Sequence, residues 1–300
     1  MRTPFTGVGT ALITPFMKSG ALDEAAIKRL AKRQIDNGVH FLVPCGTTGE
    51  TPTLSAAERR TVVELVLEAA AGKVPVMAGA GGYDTQEVVH VAKEMASIGV
   101  QGLLSVTPYY NKPTQDGLYQ HFQAIADSTP LPIVVYNVPG RTGVNIDVNT
   151  LVRLSAIPTV VGVKEASGNL TQVCEICKAV PSDFIVLSGD DALTLPIMVV
   201  GGRGVISVVS NEIPKEIVDM TEAAERDEFA AARMTHSRIM PLMQINFIES
   251  NPGPVKAAMA AMHLLEEVYR LPVTPPRPES KEKILAVLND LKLFGDPAYA

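Results

Sequence analysis

Short apolar runs alternate with amphipathic stretches along the first two thirds of the chain, always in the same order. The runs are rich in Val and Ile, which is typical of strands in a parallel sheet whose outer face is covered by helices. We predict eight such strands, at residues 8–14, 41–44, 74–78, 102–106, 133–136, 160–164, 185–188 and 205–208.

The stretches between these runs carry helix start signals. Ser55 and Glu58 have the spacing of a capping box, and Asp84 with Glu87 repeats it with an acidic cap. Eight alternating units predict an α/β fold, a (β/α)8 TIM barrel. A doubly wound sheet is the alternative, but the glycine-rich segment 79–84 lacks the glycine that ends a dinucleotide-binding fingerprint.

After the eighth strand the alternation stops and only helices are predicted. They span residues 215–226, 228–246, 254–268 and 281–293, with a proline-rich linker at 271–278 before the last one. We therefore expect a catalytic barrel at 1–226 and a C-terminal helical region at 227–300. An appended helical layer can pack on another subunit, so an oligomer is expected.

Composition narrows the class of protein. The 300 residues suit one barrel domain, and 46% of them are hydrophobic. A net charge of −6 without a basic patch argues against a nucleic-acid partner. No apolar run is long enough for a membrane span, and the first residues lack the apolar core of a secretory signal. Three cysteines are too few for a disulfide framework, and Cys174 with Cys177 is expected on a helix face, which together predict a cytoplasmic location.

Barrel active sites lie at the carboxyl ends of the strands, and a lysine stands at one of these ends. Lys164 directly follows the apolar run of the sixth strand. Burial there would lower its pKa and leave a neutral amine, the nucleophile that forms an imine with a carbonyl compound. The alternative is a structural lysine paired with a carboxylate such as Glu165.

Two further strand ends, those of the second and the fifth strand, carry polar groups. Tyr136 ends the fifth strand and could transfer protons, although it could equally be a rim aromatic. Thr47 and Thr48 lie between two glycines in a turn that could bind a carboxylate or simply cap a helix. Arg141 could clamp a carboxylate, although solvated loop arginines are common.

Metal and serine-nucleophile chemistry are poorly supported by the sequence. The five histidines are dispersed, none in a paired metal-ligand spacing, so no metal site is predicted. No GxSxG elbow is present.

Five segments combine into a more specific pattern. They are GTTGE at 46–50, TPYYNKP at 107–113, YNVPGRTG at 136–143, GVKEASG at 162–168 and SGDD at 188–191. Together they resemble the dihydrodipicolinate synthase family of the N-acetylneuraminate lyase superfamily, over nearly the whole chain. The resemblance implies a lyase that condenses pyruvate with L-aspartate 4-semialdehyde through a Schiff base. The product, 4-hydroxy-tetrahydrodipicolinate, belongs to diaminopimelate and lysine biosynthesis, and no external cofactor is implied.

The resemblance also implies catalytic roles. Lys164 would form the Schiff base with pyruvate. Tyr136, Thr47 and Tyr110 would form a proton relay, with Tyr110 reaching into the active site of an adjacent subunit. The implied assembly is a homotetramer, a dimer of dimers.

Four residues are implied to bind the substrates. Thr48 would help hold the pyruvate carboxylate, while Gly189 and Ile206 would line the pocket with main-chain atoms. Arg141 would bind the carboxylate of the aldehyde substrate.

One region departs from the family pattern. Glu87 and Tyr109 match the cleft that binds lysine in feedback-inhibited members, but Ala56, Arg59 and Tyr83 replace its histidines and asparagine. We therefore predict weak or absent inhibition by lysine.

Two alternatives remain open. A sister aldolase, such as N-acetylneuraminate lyase or a 2-keto-3-deoxy sugar-acid aldolase, would share Lys164 and Tyr136. Arg141 favours the synthase, because a carboxylate-bearing aldehyde needs a cationic clamp and a polyol does not. A non-catalytic barrel that senses a small molecule is the alternative from another class.

Overall fold

Eight parallel strands form the centre of the structure, a computed structural model that describes residues 4–294. They are β1 (Gly7–Ala11), β2 (Phe41–Val43), β3 (Met77–Gly79), β4 (Gly102–Val106), β5 (Ile133–Asn137), β6 (Val160–Glu165), β7 (Ile185–Ser188) and β8 (Gly204–Ser207). Their spatial order is β2-β1-β8-β7-β6-β5-β4-β3. A parallel bridge between Leu42 and Val76 joins the two outermost strands, so the sheet closes on itself. The predicted (β/α)8 barrel is confirmed.

Two predicted strands differ from the observed ones by three residues at one end, and the others agree to within one residue at each end. The first ends at Ala11, because the amide of Ile13 leaves the ladder and donates to the side chain of Asn211, 3.2 Å away. The third begins at Met77 rather than at residue 74, and Pro75 has no N–H to offer a ladder at that point.

Helices cover the outer face of the barrel. They are α1 (Glu24–Asp36), α2 (Ala56–Ala70), α3 (Thr85–Ile98), α4 (Gln115–Ser128), α5 (Pro139–Thr142), α6 (Val148–Ser155), α7 (Leu170–Ala179), α8 (Thr194–Val199) and α9 (Pro214–Glu225). The predicted capping box is present at the start of α2. Ser55 Oγ accepts from Glu58 N, and Ser55 N donates to Glu58 Oε2. Cys174 and Cys177 lie on α7, as predicted, and both are free thiols.

Three more helices follow the barrel: α10 (Phe229–Ile245), α11 (Gly253–Ala261) and α12 (Pro278–Asp290). The predicted helix at 254–268 is shorter in the structure, because His263 adopts a left-handed backbone (φ 61°) just beyond α11. The predicted domain boundary at 226/227 falls between α9 and α10, which pack against each other. The division into two domains stays a prediction, and its outer ends, 1–3 and 295–300, lie outside the described residues. No helix within residues 4–294 is both long and apolar enough to cross a membrane.

The core has two layers. Apolar side chains between the strands and the helices form the larger cluster. A smaller cluster fills the barrel interior and includes Phe5, Phe41, Met77, Leu187 and Tyr136. Because Tyr136 belongs to this inner layer and is the last residue but one of β5, the packed interior continues directly into the residues at the carboxyl ends of the strands.

Closure of the barrel requires a residue without a side chain at position 79, which is glycine here. A Cβ added to this residue would lie 1.8 Å from the backbone oxygen of Cys45, where β2 leaves the barrel. We expect Gly79→Ala to lower the free energy of unfolding by about 1–3 kcal/mol or more, since backbone must move to admit the methyl group. Urea unfolding followed by circular dichroism measures this. Gly140→Ala is the matched control, because its added Cβ has open space. Equal stability of the two variants would contradict this account of the closure.

Candidate active site

Lys164 lies near the carboxyl end of β6 with a side chain that is almost fully buried. Only 5% of the residue is exposed. Burial lowers the pKa of Lys164 to about 8, with the charge of Asp191 opposing the shift and that of Arg141 adding to it. About a tenth of the amine is therefore neutral at pH 7, and the neutral fraction grows as the pH rises, which supplies the form that a nucleophile requires.

Glu165 does not pair with Lys164. Successive residues of a strand point to opposite sides, and the Glu165 carboxylate accepts instead from Asn137 Nδ2 (2.9 Å) and Ser167 N (2.7 Å). The geometry therefore does not show the alternative in which Lys164 is a structural lysine paired with Glu165.

Tyr136 faces Lys164 across the β5–β6 pair. The two residues are register partners, and the Lys164 Nζ lies 4.2 Å from the centroid of the Tyr136 ring. Burial raises the pKa of Tyr136, an effect only partly opposed by the Arg141 charge and a hydrogen bond with Thr47. The phenol is therefore protonated at neutral pH and has a proton to donate beside the amine.

The turn that follows β2 presents two threonine hydroxyls to the same place. Within it, Gly49 N donates to Gly46 O and Glu50 N donates to Thr47 O, both at 3.1 Å. The Thr47 hydroxyl bonds with Tyr136, and Thr48 Oγ1 accepts from Asn251 Nδ2 at 3.0 Å. The turn is thus fixed by its own backbone and by a side chain from the segment that precedes α11.

These residues meet around one small cavity of about 30 Å³. Six residues predicted from the sequence line it: Thr47, Thr48, Tyr136, Arg141, Lys164 and Gly189. Gly189 leaves room for the lysine, since a Cβ at this position would lie 3.1 Å from the Lys164 Cε. A second cavity of about 130 Å³ shares Tyr136, Arg141 and Gly189 with the first. The arrangement therefore has a narrow space at the amine and a wider one beside the guanidinium.

Two predicted site residues lie elsewhere. Tyr110 is 90% exposed, with a left-handed backbone (φ 71°), and lines none of the cavities around Lys164. Ile206 is buried in the barrel interior, and Val208, two residues further along the chain, lines the cavity in its place.

Some of the predicted regulatory residues lie close to one another in the structure, and Glu87 lies apart from them. Tyr109 packs edge-on against the ring of Tyr83, with centroids 5.4 Å apart. Tyr109 and Arg59 line a cavity of about 350 Å³ that also reaches Tyr136. Glu87, in the first turn of α3, is exposed and does not line this cavity.

Three site residues were missed from the sequence. Phe247 and Asn251 line the cavity, although both come from the C-terminal region rather than from a strand end. Arg141 donates to the backbone oxygen of Asn251 at 3.3 Å. The carboxylate of Asp191 accepts from the amides of Val208 and Val209 and lies buried near Lys164. In the sequence, the only features that could have pointed to these residues are the Asn-Pro-Gly break at 251–253 and the second aspartate of SGDD.

The barrel, with a buried amine beside a phenol at the carboxyl ends of its strands, defines a class of protein, the lyases that are built on a (β/α)8 barrel. The particular family follows from comparison. The model of the dihydrodipicolinate synthetase family matches residues 4–291, and the chain belongs to this family. The fold, family and enzyme class predicted from the sequence are thereby confirmed.

Individual relatives agree with this assignment. A 4-hydroxy-tetrahydrodipicolinate synthase of Koribacter versatilis is 54% identical over 279 residues, which are 93% of each chain. The crystal structure of a dihydrodipicolinate synthase of Thermotoga maritima is 44% identical, with a TM-score of 0.96 over 97% of this chain and 100% of the other. A monomeric dihydrodipicolinate synthase variant is 43% identical, with a TM-score of 0.95 over 97% of this chain and 98% of the other.

The charges around Lys164 predict opposite effects of two substitutions. Arg141→Gln removes a cation and should raise the pKa of Lys164 above its value of about 8, whereas Asp191→Asn removes an anion and should lower it. Only the neutral amine reacts with acetic anhydride, a reagent that does not itself titrate, so the acetylation rate should rise with pH through this pKa. Peptide mass spectrometry of Lys164 across pH measures it. Shifts of the same sign in both variants, or a wild-type midpoint near 10.5, would show that these charges do not control the amine.

Proposed function

We propose that this chain condenses pyruvate with L-aspartate 4-semialdehyde to form 4-hydroxy-tetrahydrodipicolinate, through an imine on Lys164. The observation that carries the proposal is the one cavity in which an amine of lowered pKa, a phenol and two threonine residues converge. Membership of the dihydrodipicolinate synthetase family supports the same reaction.

The first half of the reaction uses the narrow cavity. The pyruvate carboxylate binds to the hydroxyls and amides of the turn at Thr47 and Thr48, which places its keto carbon at the Lys164 amine. Attack gives a carbinolamine, and loss of water gives the imine. Tyr136, hydrogen-bonded to Thr47, exchanges the protons that both steps require. No cofactor enters this scheme, because the protonated imine is itself the electron sink.

The second half uses the wider cavity beside Arg141. Loss of a methyl proton converts the imine into an enamine, whose carbon attacks the aldehyde. The Arg141 guanidinium binds the carboxylate of the aldehyde substrate. The substrate amine then displaces Lys164 by transimination, which closes the ring and frees the enzyme.

Tyr110 completes the proton relay from an adjacent subunit in this proposal. Its side chain is 90% exposed and lines neither cavity beside Lys164 of its own subunit, so the ring is open to contact with a neighbouring chain. The proposed assembly is a homotetramer built as a dimer of dimers, active in the cytoplasm.

Borohydride trapping tests the proposed function. Reduction in the presence of pyruvate should add the reduced adduct to the mass of the Lys164 peptide, and trapping should accelerate as pH rises through about 8. Lys164→Ala should show no adduct. Without borohydride, the enzyme should turn over pyruvate together with L-aspartate 4-semialdehyde and not with N-acetylmannosamine, because Arg141 recognises a carboxylate. Absence of an adduct in the wild type would refute the imine, and cleavage of sialic acid without turnover of the semialdehyde would favour the sister aldolase.

Lysine should inhibit this enzyme weakly or not at all. Ala56 offers no polar side-chain group, and Arg59 places a cation where a second cationic ligand would approach Tyr109. Titration of lysine into a coupled assay measures this, and replacing Ala56 and Arg59 by histidine in one variant is the comparison. Strong inhibition of the wild type by micromolar lysine would contradict the expectation.

A further inference from the structure

A buried ion pair joins α11 to the end of the turn that carries Thr47 and Thr48. Lys256 of α11 and Glu50 have fully buried side chains, with Lys256 Nζ 2.6 Å from Glu50 Oε1. The same Nζ donates to Thr14 O at 3.2 Å and lies 4.4 Å from the centroid of the Phe16 ring. Burying two charges is costly, so a pair of this kind needs a reason beyond stability.

Glu50 is part of the turn itself. It follows Gly49 directly, adopts a left-handed backbone (φ 55°), and donates its amide to Thr47 O at 3.1 Å. Because Lys256 binds the Glu50 carboxylate, the ion pair also fixes the backbone from which the Thr47 hydroxyl projects. Thr14, the second partner of Lys256, also donates its hydroxyl to Gly49 O at 2.7 Å. Lys256 thus holds both the Glu50 side chain and the residue that anchors Gly49.

The segment around α11 contacts the turn at a second point. Asn251 donates to the Thr48 hydroxyl at 3.0 Å. Thr48 of the turn is therefore held by a neutral hydrogen bond from Asn251, and Glu50 at the end of the turn is held by the charged contact with Lys256. The turn has glycine at positions 46 and 49, so little in its own sequence restricts its conformation.

We propose that Lys256 and Glu50 are positioning residues, which hold the Thr47 and Thr48 hydroxyls where they bind the carboxylate of pyruvate. The inference rests on the proposed function. It makes pyruvate binding depend on an ion pair that does not itself touch the substrate. Loss of the pair should therefore weaken pyruvate binding and leave recognition of the aldehyde by Arg141 unchanged.

A double variant separates positioning from stability. Replacing a buried ion pair by uncharged side chains of similar size is often neutral for folding, so Lys256→Met/Glu50→Gln should unfold near the wild-type temperature. Its half-saturating pyruvate concentration for borohydride trapping should rise at least about tenfold, the order expected when a charged substrate loses one well-placed hydrogen bond. The KM of the aldehyde should stay within about twofold.

Leu288→Ala is the matched control. Leu288 is a fully buried residue of α12, so its truncation destabilises the C-terminal helices without touching the turn. We expect the half-saturating pyruvate concentration of this variant to equal that of the wild type. A similar rise in both variants would assign the effect to general loosening and overturn the proposal.

The remaining outcomes are also decisive. An unchanged half-saturating concentration in a folded double variant overturns the positioning role while leaving the proposed function intact. Absence of any adduct in the wild type overturns both. If the double variant does not fold, Lys256→Gln/Glu50→Gln makes the same comparison, because it removes both charges and keeps a hydrogen bond between the two side chains.

Discussion

Closure of the barrel between β2 and β3 is the constraint on which the candidate site depends. The Leu42–Val76 bridge and the close approach of Gly79 to the Cys45 backbone bring the end of β2 into the ring of strands. Only in a closed barrel does the turn after β2 face Tyr136 on β5 and Lys164 on β6. An open sheet of the same strands would leave the threonines remote from the amine.

Burial then determines the chemistry available in that ring. Desolvation lowers the pKa of Lys164 and raises that of Tyr136, so the same environment favours a neutral amine and a protonated phenol. The charge of Asp191 opposes this lowering of the lysine pKa, and the charge of Arg141 adds to it. A nucleophile and a proton donor thus arise from one apolar interior with two charges at its edge.

The sequence identified residues that line the cavity where the signal was local. A lysine directly after an apolar run, and a turn with two threonines between glycines, follow from the rule that barrel sites lie at strand ends. It did not find Phe247, Asn251 or Lys256. In the sequence, a lysine on a helix resembles a solvent-exposed residue, and nothing near Lys256 indicates that its partner lies 206 residues away. Ile206 shows the converse, because a strand residue close to the site can face the packed interior instead.

The proposed function requires one cavity to present the Lys164 amine to the keto carbon of pyruvate while the Thr47–Thr48 turn holds the adjoining carboxylate. A crystal structure of the chain soaked with pyruvate, without reductant, tests it most directly. The account predicts continuous density from the Lys164 Nζ to the C2 atom of pyruvate, with the carboxylate on the threonine turn. Pyruvate bound without a covalent link, or with its carboxylate on Arg141, would contradict it.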